Sequence, residues 1–216
     1  MSSQVPDNAV NENADQQCNK TFSIRQLLRD RKALLVHFNT PQSKHATGFP
    51  EDLQNAKTLR EKDLSFSTIF ASDRGPSQVH DFADANAGGS VGLVVDIKEA
   101  GSVVSVSTND AGSNEFGSFG DPPSERACIQ SIDERNDGEP GGNNEWRVQD
   151  YISLGIFVFF PAFVFKPGGE VPVTLDALLA TFPDNRIYSA GKGSFHEYNR
   201  ETGQWMPISY SEIVPA

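Results

Sequence analysis

The segment "VQDYISLGIFVFFPAFVF", Val148 to Phe165, decides how the chain is read. After Leu154 it is almost wholly apolar, so it reads as a buried strand. The run from Leu154 to Phe165 is too short to cross a bilayer, which takes roughly 20 residues. Yet the segment opens on Gln149, Asp150, Tyr151 and Ser153. Two readings stand for a carboxylate at that lip. Asp150 caps a turn, or the buried strand holds it rigid for chemistry.

Before this segment, between Ala111 and Asn144, the chain is dominated by Gly, Asp, Ser, Asn and Pro. That composition reads as one long loop. "SVGLVVDI" and "SVVSVST" precede it as two strands. Further back, "GPSQVHDFADANAGG" reads as a short helix closed by glycines. "DLSFSTIFASD" alternates apolar and hydroxyl residues as a strand does. "PEDLQNAKTL" starts on Pro50 and two acids, a helix start. Ala33 to Phe38 is a strand, and Ser23 caps a helix with Ile24, Leu27 and Leu28 on one face.

On the C-terminal side, "VTLDALLATF" is a helix. "RIYSAG", "SFHEYN" and "QWMPIS" are strands, the last two joined at "RETG" with Gly203 in the turn. Helices come early and strands late, which selects an α+β fold over a regular βαβ array. The expected architecture is two packed antiparallel or mixed β-sheets, flanked by helices near 24–31, 50–60 and 76–85. Residues 1–20 are polar and read as a flexible tail. Residues 21–216 read as a single α+β domain with a β-hairpin-rich part over 186–216.

Composition narrows the partners. The chain has 216 residues, 37% hydrophobic and 22% charged, a soluble globular mixture. Its 29 acidic residues against 18 Lys and Arg give a formal net charge of -11. Phosphate backbones need clustered cations, so no nucleic-acid partner is expected, and no anionic membrane surface. Cys18 and Cys128 make neither a metal site nor a disulfide scaffold; one bridge or two free thiols both remain open. The N-terminus lacks the basic and apolar regions of a Sec signal. The expectation is a soluble chain, reaching its target by a specialised route or as part of a larger protein. His37, His45, His80 and His196 are scattered without ligand spacing, so no metal is expected. Gly-rich phosphate-binding signatures are absent.

Three places are left for chemistry: His37 at the end of "ALLVHFNTP", the hydroxyl strand "LSFSTIFASDR", and "VQDYISLG". Each has a plain alternative: a strand-end histidine, a half-exposed strand, a turn cap. In order and spacing the three resemble the mono-ADP-ribosyltransferase toxins of the cholera, heat-labile enterotoxin and pertussis type. There an early strand ends in an Arg, or a His in the diphtheria-like branch. A Ser-Thr-Ser strand follows, and a catalytic carboxylate precedes an apolar strand. The resemblance runs from about Leu34 to Phe165, with Ile69 where the second Ser is expected.

The resemblance implies NAD as substrate, cleaved at the nicotinamide–ribose bond, with ADP-ribose passed to a protein target by a secreted toxin or effector. It puts Asp150, Ser67 and Thr68 in catalytic roles and His37, Phe66 and Tyr151 against NAD. All of them would line one cleft, with Asp150 within hydrogen-bond reach of Ser67 or Thr68. Asp is shorter than the family's Glu, and Glu145 is a rival carboxylate. Val148 stands where Arg-modifying members carry a second Glu, so that acceptor is not implied. The other reading is a catalytically inactive or unrelated α+β interaction module, with Tyr188, Phe195, Tyr198 and Trp205 as aromatic anchors.

Overall fold

The structure is a computed structural model, and it describes residues 22–39, 48–58, 64–73, 89–98, 102–108, 123–135, 144–166 and 169–215. The expected tail over 1–20, Cys18 and the helix near 76–85 lie outside the described residues.

Helix α1 (Ile24–Arg31) starts where Ser23 accepts a hydrogen bond from the Gln26 amide. It buries Ile24 and Leu28 and leads into β1 (Leu34–Phe38). Helix α2 (Glu51–Ala56) carries two acids in its first turn and buries Leu53 and Ala56. Strand β2 (Leu64–Ile69), β3 (Val91–Ile97) and β4 (Val103–Ser107) follow. Within the stretch expected as loop, Glu125–Asp133 forms helix α3, capped by Ser124 and burying Ala127, Cys128 and Ile132. The Gly- and Asp-rich sequence on both sides hides this short amphipathic turn.

The opening segment is more than one strand. It spans the end of β5 (Glu145–Val148), the whole of β6 (Tyr151–Val158) and all but the last residue of β7 (Phe163–Lys166), with a break at Phe159–Ala162. Strand β8 (Gly169–Pro172) pairs with β7 alone. Helix α4 (Leu175–Thr181), strands β9 (Ile187–Gly191), β10 (Ser194–Asn199) and β11 (Gln204–Ile208), and the short α5 (Tyr210–Ile213) complete the order. The hairpin at Arg200–Gly203 is as expected, with Gly203 at φ 69.

Nine strands form one mixed sheet in the order β11-β10-β9-β6-β3-β1-β2-β5-β4, and β7-β8 form a two-stranded ribbon. The fold is α+β, with one large sheet where two packed sheets were expected. The large sheet nevertheless supplies two layers by bending. Strands β5 and β6 are four positions apart, roughly 19 Å in a flat sheet. The three residue steps from Val148 to Tyr151 reach at most about 11 Å. The β2-β5-β4 end therefore curls over the centre. Val103, Val106, Trp146 and Val148 from the curled end share one core with Val95, Ile97 and Tyr151.

All pairs are antiparallel except β6 with β9, which are parallel over two register positions. Gly155 permits that junction: a Cβ there would sit 2.7 Å from the Arg186 carbonyl oxygen and 2.6 Å from the Tyr188 ring. A second cluster, on the other face, gathers Leu34, Val36, Ile69, Val94, Phe157 and Phe195. Among the described residues no helix is long and apolar enough to cross a membrane, and no group of side chains could hold a metal ion.

Candidate functional site

The first two sequence blocks lie on the adjoining strands β1 and β2; the third has only Val148 in β5, beside β2, and runs on through Gln149 and Asp150 into β6. Register then decides which side chains meet. Leu35 pairs with Thr68 and Val36 with Ser67, so the next step sets His37 beside Phe66. Neighbouring residues of a strand point to opposite faces. His37, Phe66 and Thr68 thus belong to the inner face with Leu35, whereas Ser67 lies with Val36 on the other. Ser67 and Thr68 do not line one cleft.

On the inner face, His37, Phe66 and Tyr151 form a run of rings. The centroids of His37 and Phe66 are 5.6 Å apart, and those of Phe66 and Tyr151 are 5.2 Å apart in edge-to-face contact. Phe66 and Tyr151 are fully buried, so they support the His37 ring and offer no open face for stacking. The Tyr151 hydroxyl donates to the Ala56 carbonyl at 2.6 Å, tying β6 to α2.

His37 is 8% exposed, and its Nδ1 lies 2.7 Å from the Ser65 carbonyl oxygen. A carbonyl only accepts, so Nδ1 carries the proton and Nε2 is the acceptor of the neutral ring. Burial holds the His37 pKa below the ordinary histidine value, against the pull of the Ser65 carbonyl and of nearby Asp52. Asp52, on the first turn of α2, accepts from the Asn39 side chain and from the Leu53 amide at 2.7 Å. Its own burial raises its pKa, and those hydrogen bonds oppose the rise.

Backbone pairing of β2 with β5 runs from Leu64↔Val148 to Phe66↔Trp146 and stops. Beyond it, the Asn144 side chain takes the place of a strand partner. Its oxygen accepts from the Thr68 amide at 2.9 Å; its nitrogen donates to the Thr68 hydroxyl at 2.8 Å and to the Ser131 carbonyl at 2.9 Å. Trp146 Nε1 donates to Ser131 Oγ at 3.0 Å, and Ser131 Oγ donates to the Ser107 carbonyl at 2.6 Å. The network joins β2, β4, β5 and α3. Arg135 extends it, donating to the Thr68 carbonyl at 2.8 Å and pairing with Asp73 at 2.6 Å in a buried bridge. Thr68 is therefore spoken for by Asn144, not by Asp150.

Glu145 follows Asn144. It is 6% exposed and pairs with Ser107 of β4. Continuing the β2–β5 register sets it level with Ser67, on the face away from Trp146. Asp150 is elsewhere. It lies two residues past Val148, which pairs with Leu64, three positions before Ser67. It sits in the tight link between β5 and β6 at φ 50, a left-handed conformation that Asp tolerates. Its carboxylate is 58% exposed and meets Lys98 Nζ at 2.7 Å, while its carbonyl accepts from Ser102 Oγ at 3.3 Å. Asp150 is a turn residue.

The structure thus brings His37, Phe66 and Tyr151 together, puts Ser67 on the other face of the sheet, and leaves Asp150 apart. Asn39, Asp52 and Asn144 were not singled out from the sequence. The one available signal was "NNEW", an amide directly before a buried carboxylate and Trp. Cys128 is free and buried, and burial pushes its thiol up to about 12, which excludes it as a nucleophile. No protein-family model, no curated protein and no solved structure matches the chain.

Proposed function

We propose that this protein cleaves the nicotinamide–ribose bond of NAD and transfers ADP-ribose to a protein target, with Glu145 as the catalytic carboxylate. One observation carries the reading: His37, Ser67 and Glu145, distant in sequence, fall on three adjoining strands, and the β2–β5 register carried one step past its last pair sets Glu145 level with Ser67. Bond cleavage passes through an oxocarbenium-like state, which a carboxylate beside the anomeric carbon stabilises. Ser67 braces that carboxylate from the neighbouring strand. His37 acts as a positioning group, fixing the β1–β2 end through the Ser65 carbonyl. Glu145 also restores the reach that Asp150, one methylene shorter, lacks.

A second reading keeps the scaffold without the chemistry, as a protein-interaction module. The opposite facing of His37 and Glu145 favours it, because His37 then does not touch a ligand held at Glu145. Of the expected anchors, Tyr188 and Phe195 are core residues; Tyr198 and Trp205, 5.5 Å apart, are half-exposed. Incubation with nicotinamide-labelled NAD separates the two. Release that is lost in Glu145→Gln and kept in Asp150→Asn supports NAD cleavage at Glu145; no release from the intact protein leaves the interaction module.

A further inference from the structure

We draw no further inference here: the strongest candidate, the aromatic surface patch that Phe160 forms with Tyr198 and Trp205 of the β10–β11 hairpin, is an apolar face for which nothing in the structure shows what covers it.

Discussion

Strand β5 is four residues long, and the chain at its two ends differs in almost every physical respect. At the N-terminal end, Asn144, Glu145 and Trp146 are buried; the Asn144 and Trp146 side chains are hydrogen-bonded to β2 and α3, and Glu145 pairs with Ser107 of β4. At the C-terminal end, Asp150 turns the chain in solvent with Lys98 as its partner. Both ends carry a carboxylate beside the apolar segment. Only the buried one is flanked by side chains hydrogen-bonded into the neighbouring elements, and preorganisation is what a catalytic or recognition group needs. The contrast teaches that proximity to a greasy strand does not bury a carboxylate; the neighbours on the adjoining strands do.

The sharpest way to break this contrast is to empty the locked end. Trp146→Ala removes a fully buried indole and its hydrogen bond to the Ser131 hydroxyl, so unfolding free energy should fall by about 3–5 kcal/mol. Denaturant melts measure it, and a loss below about 1 kcal/mol would show that the end is not locked. Asn144→Ala leaves the Thr68 amide and the Ser131 carbonyl without their partner and should cost about 2–3 kcal/mol. At the exposed end, Asp150→Asn keeps a side chain that tolerates the left-handed turn and loses only a solvent-facing ion pair. Its cost should be under about 1 kcal/mol, fading further in high salt. A larger cost would erase the difference between the ends.

Much of the fold was legible. Ser23, the two acids after Pro50 and "RETG" marked α1, α2 and the β10–β11 turn, because caps and turns are local chemistry. Alternation marked β2, and apolar runs marked β3 and β4. What could not be read was set by register. Ser67 and Thr68 are adjacent in sequence and part to opposite faces, and nothing in "SFST" says which face is the core. The curl of the sheet, which brings β5 next to β2 and across from β3, depends on the brevity of the Gln149–Asp150 link and on pairing distant in sequence. Helix α3 was lost among glycines and acids. Glu145 stood in view only as a rival, because its burial comes from strands that the sequence does not place beside it.

A smaller effect probes the inner face. His37 is held neutral by burial, so its folded pKa lies below the unfolded value of about 6.5. The unfolded chain then binds the proton more readily. Its contribution to stability is fully present above about pH 6.5 and is lost as pH falls towards the folded pKa. Asp52, whose pKa burial raises, works in the opposite sense: it favours the fold in acid and loses that contribution as pH rises through its folded pKa. Histidine ring shifts followed by NMR should show His37 titrating below the ordinary range, with no midpoint at or above about 6.5. His37→Gln should remove this part of the acid sensitivity while keeping a side chain able to donate to the Ser65 carbonyl.

The central claim is that the functional carboxylate sits at the locked end of β5. Nicotinamide release from labelled NAD tests it most directly, compared in wild type, Glu145→Gln and Asp150→Asn at equal folded concentration. The account predicts release by the wild type, a fall of at least about 100-fold in Glu145→Gln, and a rate within about twofold of wild type in Asp150→Asn. Release lost in Asp150→Asn and kept in Glu145→Gln, or no release from any of the three, would contradict it.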